Sequence, residues 1–549
     1  MDARGRFRGV LRADCSDASR LPPMPKPPQS APPRSAQWPL AARVRWVRAF
    51  RALIVRELDA LCAAMEGEVA KTRWEAMTSD LLPLLASCRW HERRAPRLLR
   101  PKPVRGRAIW QVGQRVRLRR EPIGRVAIIA TWNYPVQLLG IQLVQAVLAG
   151  SERAGNRVVV KPSERCPRTQ ALLLDLAEEA GRLAGMPPGV IERAPATREA
   201  GAELLDAPHP GGSQPALWGR FDHVVFTGST EVGRRVASAL AGPLTPSTLE
   251  LSGRDSAFVL PGADAALAAR SIWAMVLMNA GQTCMAPRRA IVVGEAWEPF
   301  VGALKPLIEG SSPVSLIDEA AAERVRGLVA GATQPVIRGR EASADDPRLV
   351  TPTAVLEADP AGEVAGGAHF GPLLAVVRCA TLDEAVAAHA LCDQHLATSI
   401  YPPRGRGGRA SAEALVSKLG ERGRLGGSVT IMDTVLPTAQ PGASIAGHGA
   451  SGWGASRGAA GLLAMTRAVH VSTTSPRVRT PLGEPPAKQQ ASFERFVRWW
   501  YGLGGGLKHG ARPAPKTDEQ QGDAPARRTA TAAPRATGHR AHATQERVS

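Results

Sequence analysis

Apolar side chains recur at helical spacing through the first part of the chain. From Val44 to Met65 they return every three or four positions, which creates one apolar face. This period predicts helices over residues 41–100. A different pattern begins further along the chain.

Short β-rich runs alternate with helical stretches in the middle of the chain. The runs 126–130 and 158–160 consist of valine, isoleucine and alanine, and a third run covers 224–226. The stretches 136–149 and 169–184 carry apolar residues at helical spacing instead. Strands that alternate with helices predict a parallel sheet with crossover helices, so the predicted fold class is α/β.

The two ends of the chain differ in composition from the middle. Residues 1–40 are rich in proline, arginine and serine, and residues 504–549 in glycine, proline, alanine and arginine. Both segments are predicted to be disordered, because they hold too few large apolar side chains to form a core. Just before the tail, residues 486–503 predict an amphipathic helix. It either packs on its own domain or makes weak contact with a membrane surface.

Size and cysteine pattern narrow the class of protein. With 549 residues, 44% of them hydrophobic, the chain can form two or three domains with sizeable cores. Its 7 cysteines are scattered and no C-x-x-C occurs, so neither a disulfide framework nor a metal site is indicated. The start lacks the apolar core of a signal peptide, and no apolar run is long enough to span a bilayer. We therefore expect a cytoplasmic protein in a reducing compartment.

The formal net charge of +21 has two interpretations. A basic surface can bind nucleic acid or an anionic membrane. An arginine-rich, solvated surface gives the same total. We favour the second interpretation and expect no specific nucleic-acid partner, because no basic block is interleaved with aromatic residues.

The segment Asn279-Ala-Gly-Gln-Thr-Cys284 puts one cysteine in a loop-forming context. Upstream, Glu250 lies in the strand-like run Thr248-Leu-Glu-Leu, before a Ser-Gly turn. A half-buried carboxylate can have a raised pKa, which suits a general base. A thiol with such a base suggests covalent chemistry on a carbonyl. The plainer alternatives are a buried thiol and an exposed strand glutamate.

The segment Phe226-Thr-Gly-Ser-Thr-Glu-Val-Gly233 follows a β-run and opens a helical stretch. Gly228 permits a tight turn, and Gly233 permits close packing of the helix on the sheet. The helix N-terminus then presents free N–H groups to a phosphate, which predicts a nucleotide site. A plain β–α turn is the alternative.

Two polar side chains stand where predicted strands end. Lys161 ends one run, and Asn133 follows the run 126–130. Ligands of open α/β sheets bind at these carboxyl ends, where a lysine can bind ribose hydroxyls and an amide can donate to an oxyanion. A solvated lysine and a turn-forming asparagine are the alternatives.

Taken together and in this order, these residues resemble the aldehyde dehydrogenase superfamily over roughly residues 41–485. The segments that carry the resemblance are Glu121-Pro-Ile-Gly, Trp132-Asn-Tyr-Pro, Lys161-Pro-Ser-Glu, Phe226-Thr-Gly-Ser, Leu249-Glu-Leu, Gly281-Gln-Thr-Cys, Phe370-Gly-Pro and Gly449-Ala-Ser-Gly. The first two are most similar to the branch that acts on fatty and aromatic aldehydes.

The resemblance implies an aldehyde dehydrogenase-like fold with a Rossmann-type cofactor domain, an α/β catalytic domain and a small β oligomerisation element. The implied boundaries are 41–250 for the NAD-binding domain, with 106–121 contributing to the oligomerisation element, 251–430 for the catalytic domain, and 431–485 for a return to the cofactor domain and the oligomerisation strand. A homodimer is implied, with a tetramer as the alternative.

The resemblance also implies a mechanism for oxidising an aldehyde, medium- or long-chain aliphatic or aromatic, to a carboxylic acid. Cys284 attacks the aldehyde carbon as a thiolate and forms a thioester after hydride transfer. The Asn133 amide and the Cys284 backbone N–H hold the oxyanion. Glu250 activates the water that hydrolyses the thioester.

The implied cofactor is NAD, with NADP as the alternative. By resemblance, Lys161 and Glu164 bind the adenosine ribose, and Gly228 and Ser229 lie near the pyrophosphate. The Glu164 carboxylate would repel a 2′-phosphate, which favours NAD. The remaining implied cofactor contacts are Ser163, Gly233, Trp132 and Phe370.

The chain departs from the family pattern at several positions. Ala368 stands where the family has a carboxylate for the nicotinamide ribose, and Ser252 stands where it has glycine. Residues 151–155 and 208–220 are apparent insertions near the cofactor half. Two alternatives therefore stay open. One is a catalytically weakened relative that acts as a binding or scaffold protein, and the other is an acyl-CoA or acyl-phosphate reductase-type relative that does not need Glu250 as a base.

Overall fold

The computed structural model describes residues 35–106, 108, 111, 113–205, 221–343, 345–367, 369–475 and 483–502. Its helices are α1 (Leu40–Arg56), α2 (Leu58–Val69), α3 (Arg73–Glu75), α4 (Leu82–Leu99), α5 (Gln137–Leu148), α6 (Pro167–Ala184), α7 (Arg198–Glu203), α8 (Thr230–Ala241), α9 (Ala265–Leu277), α10 (Trp297–Glu309), α11 (Glu319–Ala330), α12 (Glu363–Gly366), α13 (Leu382–Ala390), α14 (Gly408–Glu421), α15 (Gly458–Ala464) and α16 (Ala487–Gly502).

Its strands are β1 (Ser35–Gln37), β2 (Lys102–Pro103), β3 (Gln114–Pro122), β4 (Arg125–Ile129), β5 (Ala154–Lys161), β6 (Ile191–Arg193), β7 (His223–Thr227), β8 (Ser247–Glu250), β9 (Asp255–Val259), β10 (Pro287–Val293), β11 (Val314–Ser315), β12 (Val336–Arg338), β13 (Leu349–Val350), β14 (Thr353–Leu356), β15 (Leu373–Cys379), β16 (Gln394–His395), β17 (Ala397–Tyr401), β18 (Ser428–Ile431), β19 (Ile445–Ala446), β20 (His448–Gly449), β21 (Gly452–Trp453), β22 (Ala455–Ser456) and β23 (Thr466–Thr474).

The first sheet has the strand order of a Rossmann-type fold. Its central strands run parallel in the order β6-β5-β4-β7-β8. The chain starts at β4, moves outward through β5 and β6, and returns to add β7 and β8 on the other side. The order therefore reverses between β4 and β7, which is where such sheets bind ligands.

Alternate residues of the first sheet pack into two different cores. Val126 and Ile128 point into a core shared with α1, α4, α5 and α6. Ala127 and Ile129 point into a second core, which includes Val236 of α8. A strand that is buried on both faces has a continuous run of apolar residues, so β4 can be recognised from the sequence.

The second sheet belongs to the predicted catalytic domain. Its order is β12-β14-β15-β10-β9-β17-β18, and every neighbouring pair is parallel except β12 with β14. Its strands extend over residues 255–431, close to the predicted 251–430. After this sheet, β21 pairs with β8, so the chain returns to the first sheet.

A separate three-stranded sheet contains the segment assigned to oligomerisation. β3 pairs with β2 on one side and antiparallel with β23 over nine residue pairs on the other. The predicted segment 106–121 therefore forms most of the central strand. Its role in assembly stays a prediction.

The N-terminal boundary predicted from composition is wrong. Ser35–Gln37, placed in a disordered extension to residue 40, pairs as β1 with β5, and α1 already begins at Leu40. β1 pairs with the first residues of β5, and β6 pairs with its later residues. The Arg43 guanidinium donates to the carbonyls of Leu148 and Ser151 and ties this corner to the end of α5.

Several predictions concern residues at the limits of the described structure. The apparent insertion 151–155 leads into the amino end of β5, whereas ligands of this sheet bind at the carboxyl ends, so it is not part of the cofactor site. Residues 1–34 of the predicted extension, the apparent insertion 208–220, Ala368 and the tail 504–549 lie outside the described residues.

The predicted amphipathic helix is present as α16 (Ala487–Gly502). It belongs to a second compact unit, residues 480–549, whereas all the sheets lie in the first. Phe496 and Trp500 stack on each other with ring centroids 6.0 Å apart. Among the described helices, none has the length and apolar character needed to cross a bilayer.

A buried ion pair fixes the start of α5. The Lys71 ammonium contacts the Asp80 carboxylate, and both side chains are almost completely buried. Asp80 Oδ1 also accepts the backbone N–H groups of Val136 (3.1 Å) and Gln137 (2.9 Å), where the helix dipole favours a negative charge. Lys71 Nζ lies 3.9 Å from the centroid of the Tyr134 ring. The pair therefore holds the segment between β4 and α5.

We expect Asp80→Ala to lower the free energy of unfolding by about 3–5 kcal/mol, because it leaves Lys71 buried without a counter-charge. Urea denaturation followed by circular dichroism measures the change. The double variant Lys71→Met/Asp80→Leu is the control and should be more stable than the single variant. A double variant less stable than Asp80→Ala would contradict this account.

Candidate active site

Two cavities of opposite character meet at Cys284 and Glu250. The apolar cavity, about 730 Å³, lies on one side, and the polar cavity, about 1650 Å³, lies on the other. Cys284, Glu250 and Thr227 line both. The fold thus brings together Glu250, at the end of β8 in the first sheet, and Cys284, in the loop before β10 in the second sheet.

The loop that carries Cys284 has an unusual backbone. Asn279, Ala280 and Gly281 all adopt left-handed conformations, with φ of 54°, 54° and 72°. A Cβ on Gly281 would lie 2.3 Å from the backbone of Gly371, so only glycine fits there. Strain of this kind is retained where the surrounding structure over-determines it, often at functional sites.

Arg288 of β10 holds this loop in place. Its buried guanidinium donates to the carbonyls of Gly281 (2.7 Å), Thr283 (3.0 Å) and Gly371 (3.0 Å). Burial lowers the pKa of Arg288 to about 10, so the group stays charged at neutral pH. The cysteine loop and the segment before β15 are therefore fixed by one side chain.

Asn133 follows β4 and lines the polar cavity together with Cys284, as the strand-end argument predicts. Its Nδ2 donates to the Gln282 carbonyl (3.0 Å), and its Oδ1 accepts from Thr131 Oγ1 (3.0 Å). One amide hydrogen remains for another acceptor. Tyr134, next in the chain, contacts Thr283 Oγ1 (2.5 Å). This segment is thus joined directly to the cysteine loop.

Glu250 ends β8 and is 7% exposed, so the alternative of an exposed strand glutamate is wrong. Its Oε2 accepts long hydrogen bonds from Gln142 Nε2 (3.4 Å) and Thr227 Oγ1 (3.5 Å). Its Oε1 has no hydrogen-bond partner among the described residues. Burial raises the pKa of Glu250 to about 7, and the charge of Arg457 opposes this rise. A carboxyl group with a pKa near neutrality can both take up and release a proton.

The Cys284 side chain is only partly exposed. Burial raises its pKa to about 12, with further contributions from the negative charges of Glu250 and Asp255, while Arg457 and Arg288 act in the opposite direction. At neutral pH the sulfur is therefore a thiol in this state of the site. Its attack on a carbonyl requires loss of the proton.

The turn after β7 lies at the edge of the polar cavity. Gly228 and Ser229 line it, and the Ser229 hydroxyl caps α8 by accepting from the Val232 N–H (3.3 Å). Gly228 follows the end of β7 and is not among the glycines with a positive φ. It is small because a Cβ there would lie 2.5 Å from the Phe226 ring. A Cβ on Gly233 would lie 2.4 Å from Leu251, which agrees with the predicted close packing of helix on sheet.

Two aromatic rings form another wall of the polar cavity. Trp132 and Phe370 meet edge to face, with centroids 5.9 Å apart. Ser252 and Arg254, the departures from the family motif, line the same cavity. So does His369, which is buried and has no hydrogen-bond partner on either ring nitrogen among the described residues. Polar and aromatic groups at the carboxyl ends of β4 and β7 fit a nicotinamide dinucleotide.

Four predicted cofactor residues are not among those that line the polar cavity: Lys161, Ser163, Glu164 and Gly233. Lys161 ends β5 and pairs with Glu164 (2.8 Å), and Arg198 of α7 approaches the other oxygen of that carboxylate (3.3 Å). The backbone N–H of Ser163 donates to Gln170 Oε1 (2.7 Å), so this residue serves the local turn. Their contacts with a cofactor stay predictions.

Sequence reasoning missed several residues of the site. Gln142 contacts Glu250, Arg457 and His369 line the two cavities, and Arg288 holds the loop before Cys284. One signal was available, because Gln142 interrupts an apolar helical stretch. Nothing in the local sequence distinguishes Arg457 from the many other arginines.

Comparison with known proteins agrees with this arrangement. The family model described as "Aldehyde dehydrogenase family" matches residues 24–471. A 4,4'-diapolycopene aldehyde oxidase of Methylomonas is 29% identical over 86% of this chain and 86% of its own length. A probable coniferyl aldehyde dehydrogenase of Pseudomonas aeruginosa is 28% identical over 83% of this chain and 92% of its own. A crystal structure of a putative aldehyde dehydrogenase from Burkholderia cenocepacia has a TM-score of 0.67 at 26% identity, covering 79% of this chain and 87% of that one.

The motifs, the Rossmann-type sheet and these relatives lead to the same assignment. The family match covers most of the chain, and the site holds the thiol and the carboxylate that the motifs indicated. The chain therefore belongs to the aldehyde dehydrogenase family, and it is an oxidoreductase that converts aldehydes to carboxylic acids with NAD(P).

Proposed function

We propose that the substrate is an apolar aldehyde, medium- or long-chain aliphatic or aromatic, and that the reaction passes through a thioester on Cys284. The observation that carries this proposal is the position of Cys284 and Glu250 between an apolar and a polar cavity. One cavity suits a hydrocarbon substrate and the other a nucleotide. Relatives named as coniferyl aldehyde and geranial dehydrogenases support the substrate class.

The walls of the apolar cavity support the same class. Aliphatic or sulfur-containing side chains from six parts of the chain contribute to them: Pro83, Leu138, Leu251, Met278, Met285, Leu396, Val435, Leu436 and Ile445. Each methylene buried against such walls contributes about 0.8 kcal/mol to binding. A longer hydrocarbon chain therefore binds more tightly until the cavity is full.

In the first half of the reaction, the Cys284 thiol releases its proton to solvent, and Sγ forms a bond to the aldehyde carbon. The carbonyl oxygen becomes an oxyanion, which the Asn133 amide and the Cys284 backbone N–H are suited to stabilise. One such donor is typically worth about 3 kcal/mol. The rigid loop held by Arg288 keeps the sulfur at a fixed distance from both donors.

The polar cavity fits the cofactor, with Gly228 and Ser229 toward its phosphates and Trp132 and Phe370 along its length. When bound, the nicotinamide supplies the acceptor for the hydride that leaves the Cys284 adduct and thereby leaves a thioester. Asn133 stays in contact with the same oxygen through this change.

In the second half, Glu250 Oε1 takes a proton from water, and the resulting hydroxide attacks the thioester carbon. The carbon–sulfur bond breaks, the carboxylic acid leaves, and the Cys284 thiol regains a proton. The pKa of about 7 allows Glu250 to act as this base near neutral pH. The unoccupied Oε1 supports this assignment.

Assembly and location are further parts of the proposal. The unpaired outer edge of β23, within the described residues, supports a homodimer formed through the three-stranded sheet. A cytoplasmic location and weak membrane-surface contact by α16 rest on the sequence alone.

We expect NADH to form from straight-chain aldehydes, with KM falling about threefold to fourfold for each added methylene until the cavity is filled. Absorbance of NADH measures the rate. Cys284→Ala should abolish turnover, Glu250→Gln should lower kcat by about 10²–10⁴, and Cys379→Ala should have no comparable effect. Cofactor binding without NADH from any aldehyde would favour the binding-protein alternative. Full activity of Glu250→Gln would favour the reductase-type alternative.

Alkylation of Cys284 tests the proton state of the sulfur without cofactor. Because the pKa is about 12, the rate with iodoacetamide should rise about tenfold for each pH unit between pH 7 and 10. Glu250→Gln removes a negative neighbour, so the thiol pKa falls and alkylation becomes several-fold faster. Mass spectrometry, with Cys284→Ala as background, measures the rate. A plateau at neutral pH, or slower reaction of the variant, would contradict this expectation.

Cofactor preference depends on Glu164 and its neighbour Arg198. We expect Glu164→Gln to raise the NADP-to-NAD ratio of kcat/KM by up to about fivefold, because one exposed charge contributes at most about 1 kcal/mol. Arg198→Ala should change the ratio in the opposite direction. Steady-state kinetics with both cofactors measure it, and Arg182→Ala on α6 is the control. Equal ratios in all variants would show that neither residue faces the ribose.

A further inference from the structure

α5 is completely buried, yet it carries three glutamines. All twelve residues from Gln137 to Leu148 are buried. A buried amide is costly unless it is hydrogen-bonded, so each glutamine needs a reason to be there. Two of them, Gln142 and Gln145, lie three positions apart and therefore on the same face of the helix.

Gln142 contacts the candidate base directly. Its Nε2 donates to Thr227 Oγ1 (2.9 Å) and to Glu250 Oε2 (3.4 Å). Thr227 donates to the same oxygen (3.5 Å). Both contacts reach Oε2, and neither reaches Oε1. The carboxylate is thus held by one oxygen, while the buried Oε1 has no hydrogen-bond partner among the described residues.

Gln145 holds the cation that faces this carboxylate. Its side chain accepts the backbone N–H of Arg457 (3.2 Å) and donates to the Gly458 carbonyl (3.2 Å). These two hydrogen bonds fix the backbone at Arg457, the residue before α15, whose φ is 60°. The buried Arg457 side chain lines the apolar cavity, and it forms no ion pair with any described residue.

We propose that α5 positions the general base of the reaction: Gln142 holds Glu250 by Oε2 and presents Oε1 to the attacking water, while Gln145 keeps Arg457 facing the carboxylate. The inference rests on the proposed role of Glu250. Gln142, Gln145 and Arg457 are positioning residues, because they act on the substrate only through Glu250.

The contacts of Glu250 determine the direction in which its pKa changes. A donor to the ionised carboxylate and a nearby cation both favour the charged form, so they keep the pKa of Glu250 lower than burial alone would. The other titratable or charged groups on the walls around Glu250 are Tyr134, Glu231, Arg234, Arg254, Cys284, Arg324, His369 and Asp393. Removing Gln142 therefore raises the pKa of Glu250 and slows hydrolysis at neutral pH.

The arrangement affects only the second half of the reaction. Attack by Cys284 and stabilisation by Asn133 use groups that Gln142 does not contact. Loss of Gln142 should therefore leave thioester formation intact and cause the thioester to accumulate. A residue needed only for folding would slow both halves together.

Gln142→Met tests the proposal, because methionine keeps the length of the side chain and removes the donor. If the pKa of Glu250 rises by about one unit from about 7, its ionised fraction at pH 7 falls roughly fivefold. We expect kcat to fall by that factor at pH 7, to recover at pH 9, and the acidic limb of the pH profile to move upward. Intact-mass spectrometry of quenched steady-state samples should show more acylated Cys284.

Gln137→Met is the matched control, since it makes the same change on the same helix without a hydrogen bond to Glu250. Its acidic limb should stay where it is in the wild type. Arg457→Met should move the limb upward, and Arg457→Lys should restore it. If Gln142→Met does not fold, Thr227→Val removes the other donor to Oε2 and should move the limb in the same direction.

Two results would overturn the inference. One is an unchanged acidic limb in folded Gln142→Met or Thr227→Val while Glu250→Gln still abolishes hydrolysis. The other is an equal loss of thioester formation and hydrolysis. Failure of the proposed function looks different, because the wild type itself would then form no acylated Cys284.

Discussion

The Arg288 guanidinium is the interaction on which the site depends. It joins three backbone carbonyls from two segments that are far apart in sequence, and through them it holds the left-handed turn before Cys284. The hydrogen-bond acceptors of this buried guanidinium are backbone carbonyls. The charge of the Asp255 carboxylate also acts on it, and the same charge contributes to the raised pKa of Cys284.

The two large sheets contribute different groups to the two cavities. The first sheet contributes Glu250 and the polar groups at its strand ends, and the second domain contributes the sulfur and much of the apolar wall. The segment after β4 joins them, because Tyr134 reaches Thr283 on one side while Asp80 and Lys71 hold the start of α5 on the other. The distance between Cys284 and Glu250 is therefore fixed only while the parts of the chain that carry them stay packed together.

The parts of the fold that could be predicted are those that local pattern determines. β4 and β5 are visible as apolar runs because both faces are buried, and the residues after them lie at the edge where ligands bind. Glu250 and Cys284 could be found because motif and strand position agree. The close approach of the Phe226 ring to Gly228 could not be predicted, because it depends on a side-chain position that only the folded chain fixes. Arg457 and Arg288 could not be found, because their partners are carbonyls and cavities that only the folded chain brings near. The N-terminal strand was missed because three residues with little β-propensity are ordered by pairing with β5.

The short strand β1 has a consequence for solubility. It pairs with the first three residues of β5, whereas the later residues of β5 pair with β6 and β4. An open edge of a valine-rich strand is a template for intermolecular pairing. Detachment of the short segment before α1 would therefore expose backbone donors and acceptors on β5, and the first event in aggregation of this protein would be strand addition at that corner, while the active site is still intact.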